Sequence, residues 1–253
     1  MNKIIVLILA LGLGACATTT QEHLSMATLW AQNAGEARAL SYQAFNIARL
    51  RLDQDLKNKS SKKRAVVVDV DETIVDNSPF QAQGIIDNTS YPTGWREWID
   101  MANATALPGA VEFLSYADKQ GVEVFYITNR KLIGFEPTYN NLVRLGFPVK
   151  KENMMLREKD SSKKGRREEV LKNHRIVLLM GDNLEDFSEL FEAPITAVRN
   201  SRVDESKELF GDKFIVLPNA MYGGWEAAIY DGNMAMPAEA KSKIRQSRLR
   251  TMR

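Results

Sequence analysis

The sequence predicts an α/β fold with a parallel sheet and helices on both faces of that sheet. Runs rich in apolar residues at 65–68, 122–127 and 176–180 predict strands, and the β-branched run at 65–68 does not alternate with polar residues, as is typical of a strand buried on both faces. Helical patterns separate these runs, one opening at Pro108 and a basic one at 165–172. Strands that alternate with helices form parallel sheets, and ligands of such sheets bind beyond the carboxyl ends of the strands.

The same pattern continues toward the C-terminus. A further helix is predicted before Gly146 and another at 185–191. Short apolar runs at 195–198 and 214–217 complete the α/β pattern.

The composition is that of a globular protein that does not bind nucleic acid through bulk charge. Of the 253 residues, 44% are hydrophobic, which is enough for one domain that we place at 24–253. Lys and Arg total 34 against 32 for Asp and Glu, so we expect no nucleic-acid polymer as a partner. A basic tail at 241–253 is interpreted as a solvated end, with weak attraction to an anionic surface as the alternative. Both a monomer and an oligomer are compatible with the sequence.

The N-terminus has the layout of a secretory signal, which we place at 1–15. Its apolar stretch, 4–13, is too short to span a bilayer, since a membrane helix needs about 20 apolar residues. The sequence Leu-Gly-Ala-Cys at 13–16 resembles a bacterial lipoprotein processing box, in which the cysteine is lipidated and becomes the first mature residue.

Cys16 is the only cysteine of the chain, so it has no internal disulfide partner and its thiol needs another explanation. We therefore expect a membrane anchor through a lipid on Cys16, followed by a short tether at 16–23. The resemblance favours the outer membrane, because Ala17 stands where an Asp would indicate retention in the inner membrane. The alternative is a cysteine that falls by chance near an ordinary cleavage site.

Two segments are expected to extend the α/β domain. A helical arm is predicted at 24–60, where apolar residues recur at mixed three- and four-residue spacing, with Gly35 as its weak point. These apolar residues are Leu29, Trp30, Ala37, Leu40, Ala44, Phe45, Ala48 and Leu52. The segment 74–107 separates the first strand from the next strand and helix, and its length predicts a small cap-like insertion over the site.

Asp69 and Asp71 stand two residues apart where the first strand ends. On an extended backbone their side chains would point the same way, into the crevice at the edge of the sheet. Adjacent carboxylates repel each other unless a cation or a proton separates them, so we expect Mg²⁺ at Asp69 and a proton on Asp71. The alternative is an Asp-rich turn. A calcium loop is excluded, because Thr73 and Ile74 occupy positions where such loops need Asp or Asn and then Gly.

Two further polar clusters follow apolar strands. In Thr128-Asn129-Arg130 a hydroxyl and nearby amides are suited to hold phosphoryl oxygens, although Thr and Asn are also common helix caps. Asp182 and Asp186 follow a glycine and lie four residues apart, so both can face one ion. Two carboxylate clusters on separate strands repel each other without a cation, and together they predict a magnesium site.

A basic cluster at 163–167 lies between these two motifs in the chain. One lysine, Lys163 or Lys164, is expected to reach the site as a point charge that offsets phosphate charge, and the other basic residues form a solvated helix face. The two histidines, His23 and His174, lie outside every motif, so histidine-phosphatase chemistry is unsupported.

The ordered motifs Asp-X-Asp-X-Thr, Thr-Asn-Arg, Lys and Gly-Asp-Asn-X-X-Asp resemble those of the haloacid-dehalogenase-like (HAD) superfamily. With the lipoprotein box and the closing segment 219–225, the chain closely resembles the class C acid phosphatases, bacterial outer-membrane lipoproteins, over nearly all of its mature length. The resemblance implies a Rossmann-like α/β fold, Mg²⁺ as the cofactor, and hydrolysis of a broad set of phosphomonoesters that includes nucleotides.

The resemblance also implies the roles of individual residues. Asp69 would be the nucleophile and Asp71 the general acid and base. The implied phosphoryl ligands are Thr128, Asn129 and Lys164, and the implied metal ligands are Asp69, the main-chain carbonyl of Asp71, Asp182 and Asp186. Lys164 is preferred to Lys163 because it is the third residue before Arg167, the spacing that the family pattern suggests.

The implied reaction has two steps. Asp69 attacks phosphorus in line while Asp71 protonates the departing oxygen, and water activated by Asp71 then hydrolyses the aspartyl phosphate. A phosphotransferase, which passes the phosphoryl group to an alcohol, is an alternative with the same intermediate. A lipoprotein that binds a ligand without catalysis is a second alternative, and the intact Asp69 and Asp71 argue against it.

Aromatic residues near the predicted site indicate the class of substrate. Trp95 in the insertion and Tyr222 in the closing segment offer flat surfaces on which a nucleobase can stack for roughly 1 to 3 kcal/mol. Stacking favours nucleoside 5′-monophosphates over sugar phosphates. Packing within the core or the insertion is the alternative for both residues and the favoured interpretation for Trp98.

Overall fold

The computed structural model describes residues 21–252, so the predicted signal peptide, Cys16 and most of the predicted tether lie outside the described residues. The strands are β1 (Lys63–Val68), β2 (Val75–Asp76), β3 (Thr105–Ala106), β4 (Glu123–Lys131), β5 (Met154–Arg157), β6 (His174–Gly181) and β7 (Phe214–Val216). The α-helices are α1 (Ser25–Asn33), α2 (Gly35–Leu56), α3 (Ser78–Asp87), α4 (Trp95–Asp100), α5 (Ala110–Lys119), α6 (Phe135–Leu145), α7 (Lys164–Asn173), α8 (Thr196–Glu205), α9 (Gly224–Ile229) and α10 (Ala238–Arg248).

Five strands form a parallel sheet in the order β5-β4-β1-β6-β7. β1 lies at the centre, where Val68 stands beside Tyr126 of β4 and Met180 of β6. The carboxyl ends of these three strands therefore share one edge of the sheet. The α/β fold predicted from the sequence is confirmed.

Both faces of the sheet are apolar, because successive side chains of a strand point to opposite faces. Val66 and Val68 lie in one core with residues of α2 and α5, whereas Ala65 and Val67 lie in the other core with Val170 of α7. These four residues, the last four of β1, are buried. This two-sided burial is the reason that the run does not alternate with polar residues.

The predicted helical arm consists of α1 and α2, which meet at Ala34. Ala34 has an extended backbone, with ψ of 127°, and Gly35 begins α2, so the break falls one residue before the expected weak point. The buried residues of α2 are Ser41, Ala44, Phe45, Ala48 and Leu52. Its apolar side packs with α5 in the core that contains Val66 and Val68, which is the larger core. Helix α2 is therefore a layer of the domain. Within residues 21–252, no helix has the length and apolar character needed to cross a membrane.

The segment 74–107 forms a small unit of β2, α3, α4 and β3. β2 and β3 are antiparallel, and the N–H of Leu107 donates to the carbonyl of Ile74 at 2.9 Å, so the two ends of the insertion are joined. Trp98 packs against the larger core, and Ile99 is buried. Because β2 follows the loop at the end of β1, the insertion is placed beside the carboxyl edge of the sheet.

The prediction of one continuous helix at 185–191 is wrong. The chain makes two short 3₁₀ turns, Leu184–Asp186 and Glu189–Phe191. Between them Ser188 is extended, and its hydroxyl accepts the N–H of Leu190 at 3.2 Å, which caps a new turn instead of continuing the first. The apolar run at 195–198 falls at the start of α8.

The basic tail lies mostly in α10 and contacts the segment before it. Arg245 donates to the hydroxyl of Tyr230 at 2.9 Å, and Lys241 lies 5.4 Å from the centre of the same ring. Arg248 pairs with Asp231 at 3.0 Å. Three basic side chains of the tail therefore have partners within the protein.

Candidate active site

The carboxyl ends of β1, β4 and β6 bring the polar motifs together. Asp69 directly follows β1, Thr128 lies near the end of β4, and Asp182 directly follows β6. The N–H of Asp69 donates to the carbonyl of Met180 at 2.9 Å, which extends the pairing of β1 and β6 to the start of the first motif.

Three carboxylates form a compact group. One oxygen each of Asp69, Asp182 and Asp186 lies within 4.8 Å of the other two. Asp186 is fixed because its carboxylate accepts the N–H of Asn183 at 3.0 Å. Gly181 allows this approach, since a Cβ at position 181 would overlap with the side chain of Asp186.

The ammonium of Lys163 lies between two of these carboxylates. It contacts Asp69, and its Nζ is 2.6 Å from Asp186. Lys163 is 4% exposed, whereas Lys164 is about half exposed and pairs with Glu168. The expectation that Lys164 reaches the site is therefore corrected in favour of Lys163. Lys163 is the residue before α7, whereas Lys164 is the first residue of the helix and its side chain lies along the helix toward Glu168.

Two arginines of α7 hold Lys163 in this place. Nη1 of Arg166 donates to the carbonyl of Thr128 at 2.6 Å. Nη1 of Arg167 donates to the carbonyl of Asp186 at 3.2 Å. The start of α7 is thereby tied to the ends of both neighbouring motifs, and the lysine is carried between them.

The three carboxylates of Asp69, Asp182 and Asp186 hold more negative charge than Lys163 offsets. Burial raises the pKa of Asp69 to about 7, with the charges of Asp186 and Asp71 adding to the rise and that of Lys163 opposing it. Burial also raises the pKa of Asp182 well above its ordinary value, again with a contribution from Asp186. Burial lowers the pKa of Lys163, but Asp186 and Asp69 outweigh it, so that pKa is raised and the ammonium stays charged.

Asp71 has a different set of partners. Its Oδ1 lies 2.8 Å from Nη2 and 3.0 Å from Nε of Arg130. Nδ2 of Asn77 donates to the same oxygen at 2.8 Å. The side chain of Asp71 therefore lies outside the group formed by Asp69, Asp182 and Asp186.

The motif Thr128-Asn129-Arg130 has side chains both in the interior and at the surface. Thr128 is fully buried, and its Oγ1 accepts the N–H of Arg130 at 3.1 Å and lies 3.5 Å from Oδ2 of Asp71. Asn129 is exposed, and its Oδ1 accepts from Arg166 at 2.7 Å. The side chain of Asn129 is thus engaged by Arg166 and not by the carboxylate group.

Trp95 lies beside the partner of Asp71. The guanidinium carbon of Arg130 is 5.6 Å from the ring centre of Trp95. Phe80 and Tyr91 contact Trp95 edge-on, with ring centres 4.9 and 6.0 Å away. The insertion therefore presents a wall of three rings next to the site.

Tyr222 belongs to the closing segment, which packs on the motif that contains Asp182 and Asn183. Oδ1 of Asn183 accepts the N–H of Gly224 at 2.7 Å. Nδ2 of Asn219 donates to Oδ2 of Asp182 at 2.8 Å. The segment that contains Tyr222, which is half-buried, therefore contacts Asp182 and Asn183. Trp95 contacts Arg130, the partner of Asp71.

Sequence reasoning assigns no individual role to four residues that complete the site. Thr73 donates to Asp69 and Asp182, both at 3.4 Å, and Arg130, Asn77 and Asn219 make the contacts described above. Thr73 and Arg130 lie inside the recognised motifs, and Asn219 opens the closing segment. Asn77 carries no such signal, because it is a single polar residue within the insertion.

The carboxylate group fits a divalent cation. Three carboxylates and one ammonium leave two negative charges, which one divalent ion would balance. All candidate ligand atoms are carboxylate oxygens, which is the donor type preferred by Mg²⁺, Ca²⁺ and Mn²⁺. Asp69, Asp182 and Asp186 are the residues that could hold it.

Comparison with known proteins agrees with this geometry. The sequence profile of the acid phosphatases of HAD superfamily subfamily IIIB matches residues 12–225. Two structures of the class C acid phosphatase from Bacillus anthracis, one of them with tungstate bound, are similar to the chain, each with 44% sequence identity and a TM-score of 0.90. Each comparison covers 93% of this chain and 100% of the other. The chain therefore belongs to the acid phosphatases of HAD superfamily subfamily IIIB and is a phosphomonoesterase.

Proposed function

We propose that this phosphatase acts through an aspartyl phosphate on Asp69, with Mg²⁺ as its cofactor and nucleoside 5′-monophosphates as its preferred substrates. The observation that carries the proposal is the position of Asp69. Asp69 is 7% exposed at the end of the central strand, and its carboxylate contacts Lys163 and lies beside Asp182 and Asp186. A buried carboxylate is suited to attack phosphorus when a fixed ammonium and a site for a metal ion lie beside it.

Lys163 and Thr128 are the groups that we expect to hold phosphoryl oxygens. Lys163 stays charged in its buried position, so it can offset the charge of a phosphoryl group as well as that of Asp69. Thr128 has its hydroxyl at the carboxyl end of β4, between Asp71 and the N–H of Arg130. The relative with bound tungstate, a tetrahedral oxyanion, supports a site of this kind.

Asp71 is proposed as the general acid and base. It would donate a proton to the departing oxygen and then take one from the water that hydrolyses the aspartyl phosphate. Arg130 and Asn77 hold Asp71 apart from Lys163, so the group that moves the proton is separate from the group that attacks.

Asp69, Asp182 and Asp186 would hold the metal. Mg²⁺ supplies positive charge that offsets the phosphoryl oxygens and the attacking carboxylate. The raised pKa values of Asp69 and Asp182 support this assignment, because a bound cation would remove the repulsion that contributes to them.

The aromatic wall is proposed to receive the nucleobase. Tyr91 is 56% exposed and adjoins Trp95, so a flat surface is open to solvent beside the site. Tyr222 belongs to the segment that contacts Asp182 and Asn183, so it and Trp95 would offer rings from two segments. Stacking on such rings is worth roughly 1 to 3 kcal/mol per base and tolerates any base.

We also propose that the protein is anchored in the outer membrane through a lipid on Cys16. The proposal rests on the processing-box resemblance at 13–16 and on the single cysteine of the sequence. The polar segment after Cys16 would serve as the tether to α1.

Release of inorganic phosphate from adenosine 5′-monophosphate tests the catalytic proposal. Activity should disappear when the purified protein is treated with a chelator and return when Mg²⁺ is added back. An Asp182→Asn protein should need a higher Mg²⁺ concentration for half-maximal activity. Full activity in the chelator-treated protein, with no metal detected by elemental analysis, would overturn the metal assignment.

A further inference from the structure

Asn77 is a fully buried amide between β2 and α3 that touches the first motif from the insertion. We propose that Asn77 is a positioning residue for general acid catalysis. It holds Oδ1 of Asp71, leaves Oδ2 as the oxygen that carries the proton, and links this arrangement to α4 through Trp98. The inference rests on the proposed role of Asp71.

The two oxygens of Asp71 differ in their contacts. Oδ1 receives three donors, Nη2 of Arg130 at 2.8 Å, Nε of Arg130 at 3.0 Å and Nδ2 of Asn77 at 2.8 Å. Among residues 21–252, the contacts of Oδ2 are longer, with Nε of Arg130 at 3.3 Å and the hydroxyl of Thr128 at 3.5 Å. A proton on Oδ1 would face N–H groups that have no lone pair to accept it, so the proton belongs on Oδ2.

The orientation of the Asn77 amide is fixed from both ends. Its Oδ1 accepts from Nε1 of Trp98 at 2.8 Å and from Arg130 at 3.3 Å. Its Nδ2 donates to Asp71 and to Oε2 of Glu72 at 3.2 Å. A flipped amide would place its oxygen against two carboxylates and its NH₂ against two donors. Only the observed orientation satisfies all four neighbours.

Glu72 holds the backbone of Asn77 as well as its side chain. The N–H of Asn77 donates to Oε1 of Glu72 at 2.8 Å, and Glu72 is 4% exposed. Glu72 also has a φ of 52°, in the left-handed region that a residue with a side chain seldom adopts. Such a conformation persists where the surroundings hold it, and here the contacts to Asn77 do so.

Trp98 connects this network to the insertion. It lies on α4, packs against the larger core and donates its indole N–H to Asn77. The carboxylate of Asp71 is therefore held from β4 by Arg130 and from α4 through Asn77. A shift of α4 would move the amide and with it Oδ1 of Asp71.

The test compares two substrates that differ in how much they need an acid. 4-Nitrophenyl phosphate releases a stable phenolate, whereas benzyl phosphate has a similar ring but releases an alkoxide that must be protonated. We would measure kcat/KM, which reports the step that expels the leaving group, for the wild type and for Asn77→Ala, Trp98→Phe and Asp71→Asn. Positioning of the acid predicts that Asn77→Ala loses about tenfold or more on benzyl phosphate beyond its loss on 4-nitrophenyl phosphate.

Trp98→Phe removes one N–H and keeps a ring, so it tests the network even if Asn77→Ala does not fold. It should show the same selective loss to a smaller degree. Asn153→Ala is the matched control, because Asn153 is another buried amide, donating to the carbonyl of Val124 at 3.1 Å away from the site. This control should change both substrates by the same factor.

The outcomes separate the inference from the function on which it rests. Equal losses on both substrates in Asn77→Ala and Trp98→Phe, with a selective loss in Asp71→Asn, would overturn the role of Asn77 alone. The absence of a selective loss in Asp71→Asn would overturn the general acid itself. A selective loss in all three proteins and not in Asn153→Ala supports the proposal.

Discussion

Asp69 and Asp71 are separated by one residue but pair with different buried cations. Asp69 contacts Lys163 from the start of α7, whereas Asp71 lies 2.8 Å from Arg130 of β4. The chain turns at Glu72, directly after Asp71, and does not continue as an extended strand. Each carboxylate is thus given its own environment, as separate roles in attack and in proton transfer require.

Lys163 and Lys164 provide a matched pair for testing the phosphoryl site. Lys163→Met should lower kcat by about 100- to 1,000-fold, because a charge that stabilises the transition state is lost. Lys164→Met should keep nearly wild-type activity, since Lys164 is about half exposed and pairs with Glu168. Steady-state kinetics, with circular dichroism to verify folding, checks both. A large loss in Lys164→Met with little change in Lys163→Met would restore the assignment made from the sequence.

Without a divalent cation, Asp69 and Asp182 should each make the folded protein less stable as the pH rises from about 4 to about 7. The pKa of Asp69 is raised from 3.8 to about 7, and that of Asp182 is raised in the same direction. In this range these two carboxyl groups keep protons in the folded protein that they have released in the unfolded chain, so their contribution to the free energy of unfolding falls until the pH passes the folded pKa.

Mg²⁺ should offset this loss, because it binds the ionised carboxylates and only in the folded protein. Thermal unfolding with a chelator and with Mg²⁺, each at about pH 5 and about pH 7.5, checks the prediction. The increase in Tm on adding Mg²⁺ should be larger at the higher pH. The same increase at both pH values would contradict it.

The substrate preference should depend on the aromatic rings. Wild-type kcat/KM should be higher for adenosine 5′-monophosphate than for ribose 5-phosphate, and a Trp95→Ala, Tyr222→Ala double variant should lose about tenfold or more of this preference. Tyr42→Ala is a suitable control, because Tyr42 is 40% exposed on α2, away from the site. A double variant that keeps the preference would eliminate stacking as its cause.

Anchoring should depend on Cys16 alone. In cells labelled with a radioactive fatty acid, the wild type should carry label and sediment with the outer membrane. Cys16→Ser should carry no label and leave the membrane fraction. Label on the Cys16→Ser protein would show that the lipid is attached elsewhere or that the association has another basis.

The sheet and the meeting of the motifs could be predicted from the sequence, because both follow from local patterns. The run at 65–68 is apolar on both faces, and the polar residues after each parallel strand must share one edge. The group of Asp69, Asp182 and Asp186 follows from that rule.

The choice between Lys163 and Lys164 could not be predicted in the same way. Adjacent residues at the start of a helix point in different directions, and the anchors made by Arg166 and Arg167 decide which one faces the site. The role of Asn77 could not be predicted from the sequence either, because it arises only when the insertion folds against Asp71 and Arg130.

The most direct test of Asp69 as the nucleophile is to identify the residue that is phosphorylated during turnover. The enzyme is quenched in acid while it hydrolyses substrate, then treated with borohydride, which reduces an aspartyl phosphate to homoserine, and its peptides are sequenced by mass spectrometry. We predict homoserine at position 69, dependent on substrate and absent from a folded Asp69→Asn protein that has lost turnover. Homoserine at another position, or phosphate release by Asp69→Asn near the wild-type rate, would contradict the assignment.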